Sequence, residues 1–124
     1  MHEASIIMGV LDVVNKTAEE AHARRVTEVK LSVGEMTEAI PDSLHFAFDA
    51  LTKGSICEGA HLSLRMVKPE SLCLDCGARF THDRFHMTCP ECGSYVLELL
   101  HGRELDIDSI EVDIPEDEDT KIDE

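Results

Sequence analysis

A chain of 124 residues, 43% of them hydrophobic, can build one modest core and leaves any second small unit in need of a staple. Its 26 acidic side chains against 11 Lys and Arg give a formal charge of −15, which argues against the cationic surface that DNA or RNA requires. There is no apolar run of 18 residues to span a membrane and no basic, cleavable leader, so the cytoplasm is the expected compartment.

The first twenty-odd residues predict a helix. Ile6, Ile7, Val10, Leu11, Val14, Ala18 and Ala21 recur at the 3.6-residue period and form a broad apolar face. Gly9 weakens that helix by about 1 kcal/mol relative to alanine. From Val26 to Val33, Val29, Leu31 and Val33 alternate with Lys30 and Ser32, the pattern of a strand with one buried face that ends at Gly34. A loop from Glu35 to Ile40 leads to Pro41, a favoured first helical residue. The helix it opens turns Leu44, Phe46, Ala47, Phe48, Ala50 and Leu51 inward, with Gly54 as its C′ stop. A second strand, Ala60 to Val67, alternates Leu62, Leu64 and Met66 with polar residues until Pro69 breaks it. After Arg103, Leu105 and Ile107 and then Ile110, Val112 and Ile114 alternate with acids. The phase slips at Asp108-Ser109, which predicts a bulge or bend. Six acids and one lysine then crowd the last nine residues, Glu116 to Glu124, a composition that suits a solvated tail.

Between these elements stand Cys73-Leu74-Asp75-Cys76-Gly77 and Cys89-Pro90-Glu91-Cys92-Gly93, two C-x-x-C pairs with twelve residues between them. Each pair can fold into a knuckle, because glycine after the second thiol tolerates positive φ and lets backbone N–H groups turn toward sulfur. Two knuckles offer four thiolates to Zn(II) in a closed tetrahedron, which staples a small fold and leaves no position open for chemistry. Disulfides are the alternative use of the thiols, disfavoured by the cytosolic composition. The predicted class is α+β. Residues 1–68 with 103–115 form three strands under two helices, residues 69–102 form an inserted zinc module, and residues 116–124 form the tail.

The chain opens Met1-His2-Glu3. A histidine at position 2 can join the α-amine and the intervening amide nitrogen on one ion, and a plane of nitrogen ligands favours Ni(II) or Cu(II). Such a site is pH-sensitive, since amine and imidazole must lose protons to bind.

Met1-His2-Glu3 at the start of a helix resembles the HypA family, the nickel-insertion accessory proteins of nickel–iron hydrogenase maturation. Further points of resemblance are Arg25-Val26-Thr27 with Val33-Gly34-Glu35, Ser43-Leu44-His45-Phe46-Ala47-Phe48-Asp49, Gly54-Ser55 with Glu58-Gly59, and the paired cysteine motifs. The resemblance runs from Met1 to about Ile114. It implies a cytoplasmic metallochaperone, not an enzyme, with helices on a small antiparallel sheet and structural zinc at Cys73, Cys76, Cys89 and Cys92. It further implies Ni(II) as a weakly held cargo at Met1, His2 and Glu3, with Asp42 or Glu38 as a further acidic ligand. A HypB-type GTPase, the hydrogenase large-subunit precursor and, in some organisms, urease maturation proteins are the implied partners. Gly77 and Gly93 follow the cysteine pairs where some family members carry histidines.

His82 and His86 lie in the loop between the pairs and read as solvated residues, since four thiolates already satisfy zinc. His22, His45, His61 and His101 read as structural, and Cys57 as a small buried hydrophobe. No glycine-rich phosphate loop is present, so nucleotide chemistry belongs to a partner. Two other functions compete. A rubredoxin-like iron protein would use the same four thiolates, and a zinc-ribbon interaction module would predict salt-sensitive nucleic-acid binding that the charge opposes.

Overall fold

The computed structural model describes residues 3–115; Met1, His2 and the acidic run 116–124 lie outside the described residues. The order of elements is α1 (Glu3–Glu20), β1 (Arg25–Gly34), a 3-10 turn (Glu35–Thr37), α2 (Pro41–Leu51), β2 (His61–Val67), β3 (Glu70–Cys73), β4 (Arg79–Thr81), β5 (Leu97–His101) and β6 (Leu105–Asp113).

The apolar stripe of α1 is buried as its period dictates, through Ile6, Ile7, Val10, Leu11, Val14 and Ala18; Ala21 lies beyond the helix and is exposed. The helix closes on His22 at φ 57, with Ala23 N–H bonded to Ala18 O and His22 N–H to Glu19 O, both at 3.0 Å. That is the Schellman arrangement, here with histidine in the left-handed position that glycine usually takes. On α2 only Leu44, Ala47 and Phe48 are buried. Phe46 at 76% exposure and Leu51 at 41% face water, as does Ala50, which corrects the inward face expected for them. Residues 44, 47 and 48 stand at the i, i+3, i+4 spacing that defines one helical face, and 46 and 50 fall on the other side. The helix ends at Leu51 with Thr52 as its cap, so Gly54, at φ 79, belongs to the following turn rather than to the C′ position.

β1 is the centre of a three-stranded sheet in the order β2-β1-β6. β6 runs antiparallel to it, pairing Val29 with Ile110 and Leu31 with Ile107. β2 runs parallel, pairing Val29 with Leu62 and Val33 with Met66. The sheet is therefore mixed, not wholly antiparallel as expected. The reason is the α2 crossover, which carries the chain back to the end from which β1 began. Lys30 pairs with Ser109 and Leu31 with Ile107, so Asp108 is the extra residue of a bulge where the hydrophobic phase slips. Its carboxylate accepts the hydroxyl of buried Ser32 at 2.6 Å. Val26, Val29, Leu31, Val33 and Leu62 meet the two helices in one core, where each large side chain contributes about 1.5–3 kcal/mol.

Residues 70–101 carry a second sheet, β4-β3-β5, antiparallel throughout. The two sheets are joined through 68–69 and 102–104, and these stretches run past the end of β1. Gly34 N–H donates to Glu104 O and Met36 N–H to Gly102 O, each at 2.8 Å. His101 stands between Glu104 at 3.3 Å and Glu70 at 3.8 Å, beside the same crossing. Among the described residues no helix is long and apolar enough to cross a membrane.

Candidate metal centre

The two cysteine pairs fold into matching knuckles. Cys73 N–H donates to Ala78 O and Gly77 N–H to Cys73 O; Cys89 N–H donates to Ser94 O and Gly93 N–H to Cys89 O. The chain reverses within five residues each time, which requires Gly77 at φ 81 and Gly93 at φ 77. The first knuckle hangs from β3, whose last residue is Cys73, and the hydroxyl of Ser94 ties the second to Asp75 of the first.

Each knuckle supplies one buried sulfur, Cys73 or Cys89, and one exposed sulfur, Cys76 or Cys92. Cys73 Sγ lies 3.6 Å from Cys92 Sγ and Cys76 Sγ 3.5 Å from Cys89 Sγ, all four fall within 4.8 Å of one another, and none is in a disulfide. A regular tetrahedron with 2.3 Å Zn–S bonds has edges of about 3.8 Å, so this donor set fits a thiophilic divalent ion with little adjustment.

The thiols are electrostatically unequal. Burial works to raise Cys73, but the N–H groups of Cys76 and Asp75 and the thiols of Cys92 and Cys76 outweigh it and bring it down to about 7. Cys76 accepts the Ala78 N–H, yet its thiol neighbours and desolvation push it up to about 12. Cys92, despite the Ser94 N–H, is also raised by burial and its neighbours. The thiolate of Cys73 is thus favoured, while Cys76 and Cys92 keep their protons until a cation arrives.

Neither loop histidine joins the sulfurs. His82 Nε2 is 2.8 Å from Ser71 Oγ, and His86 Nδ1 is 2.7 Å from Asp83 Oδ1. Cys57 is buried, its thiol donates to Asn15 Oδ1 at 3.5 Å, and desolvation raises it, as suits a core thiol.

Of the expected nickel ligands, Met1 and His2 lie outside the described residues. Glu3 opens α1, and its Oε2 accepts the Ile40 N–H at 2.9 Å. Ile40 lies between the two candidate acids: Glu38, exposed at φ 64, and Asp42, exposed in the first turn of α2. Among the described residues only the four cysteines form a group of three or more potential ligands, so Glu3, Glu38 and Asp42 do not converge by themselves. The Glu3–Ile40 bond was open to sequence reasoning in one respect only: Ile40 precedes Pro41 without a side chain that can cap a helix. A cleft of about 410 Å³ opens beside this loop, lined by Glu38, Ile40 and Met66 on one side and by Asp83, Arg84 and Phe85 of the cysteine loop on the other.

The family model described as hydrogenase/urease nickel incorporation, metallochaperone, hypA matches residues 1–112. The hydrogenase maturation factor HypA of Prosthecochloris aestuarii is 40% identical over 110 residues, covering 89% of this chain and 97% of that protein. That of Desulfitobacterium hafniense is 35% identical over 113 residues, covering 91% and 99%. The solution structure of the Ni metallochaperone HypA from Helicobacter pylori shares the fold, with a TM-score of 0.67 at 24% identity over 93% of this chain and all of that one.

Proposed function

The chain belongs to the HypA family, and we propose that it is a nickel metallochaperone that takes up Ni(II) at residues 1–3 and delivers it to the hydrogenase large-subunit precursor. The α-amine of Met1, the intervening amide nitrogen and the His2 imidazole supply a planar nitrogen set, with Glu3 beside them and Asp42 or Glu38 as a further acidic contact. The observation that carries this reading is the 2.9 Å bond between Glu3 and the Ile40 amide, which supports a chain start seated on the loop that holds both acids. Loose binding suits the role, since an ion held by few protein donors at an exposed site can be surrendered to an acceptor.

Zinc fits Cys73, Cys76, Cys89 and Cys92 and, when bound, supplies a structural crosslink between the knuckles rather than a reactive centre. Residues 69–102 form a zinc domain in this reading, and 1–68 with 103–115 the nickel domain. The sulfur cage leaves no open position, so no catalytic chemistry is assigned. The partners are the hydrogenase maturation machinery, specifically a HypB-type GTPase and the large-subunit precursor, with urease maturation proteins as a further client, all in the cytoplasm.

Calorimetric titration of the zinc-loaded chain with a free amino terminus tests the site. Insertion of one residue between Met1 and His2 is expected to abolish stoichiometric Ni(II) binding and to leave the zinc content at one per chain. Unchanged nickel affinity in that variant would overturn the assignment.

A further inference from the structure

Helix α2 begins without a cap of its own. Its N-cap residue is Ile40, which has no side-chain acceptor, and Pro41 brings no N–H. Helices normally satisfy their first donors with Ser, Thr, Asp or Asn at this position. Here the Ile40 N–H is satisfied from another helix, by the Glu3 carboxylate 37 residues earlier in the chain. The first residue of α1 therefore caps the start of α2, and the two helices are fastened where each begins.

We propose that Glu3 is a positioning residue for nickel: it fastens the chain start to the entrance of α2 through the Ile40 amide, and its effect on nickel passes through that bond. The proposal rests on the nickel reading of residues 1–3. An amine, an amide nitrogen and an imidazole on adjacent residues close their chelate rings without a carboxylate. What a terminal chelate lacks is a fixed place, because chain ends fray unless they are tied down. Two residues span about 7 Å at most. Glu3 bonded to Ile40 therefore ties a chelate that begins two residues earlier to the loop that carries Glu38 and Asp42, each two residues from Ile40 along the chain. The fastening needs an acceptor oxygen at the right reach. Glutamine provides one, whereas aspartate keeps the charge but is one methylene short.

The test is Ni(II) titration of the zinc-loaded full chain carrying Glu3→Gln, Glu3→Asp, Glu3→Ala or Ile40→Pro, with the Ile40 amide followed by NMR in the three Glu3 variants. Ile40→Pro deletes the donor and leaves Glu3 in place. Nickel affinity is expected to fall at least tenfold in Glu3→Asp, Glu3→Ala and Ile40→Pro, and only about threefold in Glu3→Gln. Protection of the Ile40 amide should survive in Glu3→Gln alone. Tighter nickel binding by Glu3→Asp than by Glu3→Gln, or wild-type affinity in Ile40→Pro, would overturn the proposal and leave Glu3 as an ordinary ligand. A wild-type chain that takes up no nickel overturns the nickel reading and this proposal together.

Discussion

Substituting Gly34 by alanine tests the crossing that joins the two sheets. The backbone at Gly34 has φ −74 and ψ 142, a conformation any residue adopts, so alanine meets no torsional penalty there. The obstacle is space. An added Cβ would overlap the carbonyl of Gly102 and lie 2.5 Å from Arg103 N, backbone atoms with no side chain to swing aside. The strands must separate by on the order of 1 Å to restore ordinary contact. That separation strains the bonds from Gly34 N–H to Glu104 O and from Met36 N–H to Gly102 O. Overpacking costs about 1–3 kcal/mol, and weakening two backbone bonds adds a similar amount, for a loss of roughly 2–6 kcal/mol. Against a typical total of about 5–15 kcal/mol, that is a large fraction. Urea unfolding of the zinc-loaded protein measures it. Gly9→Ala is the matched control, because nothing lies within 4 Å of an added Cβ in the middle of α1, and a gain of about 1 kcal/mol is expected. A Gly34→Ala variant within 1 kcal/mol of wild type would refute the steric reasoning.

The two phenylalanines of α2 should behave oppositely. Phe48→Ala, at 1% exposure, is expected to cost about 3–5 kcal/mol, and Phe46→Ala, at 76%, to stay within about 0.5 kcal/mol, both by denaturant midpoint. Partial burial works to raise Glu104, but bonds from the Gly102 N–H, its own N–H and His101 win and hold it below its ordinary 4.5. Its stabilisation is therefore full above pH 4.5 and is lost as the pH falls through the lower folded value, so Glu104→Gln should flatten that part of the stability–pH curve. Zinc titration of the reduced apo chain in buffers of differing ionisation heat should release about one proton fewer at pH 8 than at pH 6, because Cys73 titrates near 7 while Cys76 and Cys92 stay protonated. A proton count that does not change across that range would contradict the inequality of the thiols.

Periodicity and turn chemistry made much of this legible beforehand. The stripe of α1, the bulge at Asp108 and the positive φ of Gly77 and Gly93 each follow from residues close in sequence. The direction of β2 did not, because alternation fixes which face a strand buries and says nothing of the neighbour it pairs with. β3, β4 and β5 leave no trace in the pattern for a related reason: with three to five residues each, they are too short to display a period. Hydrophobicity alone turns Phe46 inward, although its position relative to Leu44 and Phe48 puts it on the outer side of the helix. The cysteine spacing identifies the sulfur cluster, whereas the bond between Glu3 and Ile40 joins residues 37 apart, and the one local sign of it, an isoleucine at the N-cap before Pro41, does not name the partner.

Gly102 also bears on how the cysteine segment is attached. A Cβ there would stand 3.0 Å from the Cα of Pro69, so the residues on either side of 70–101 come within about 4.5 Å of each other, Cα to Cα, little more than one peptide link. The excursion leaves and returns through a single narrow doorway. A direct join of residue 69 to residue 102 would close the backbone with β2 and β6 still flanking β1. Within a lineage, then, the segment could lengthen, shrink or be exchanged by editing one continuous stretch of coding sequence, with no partner strand to re-register.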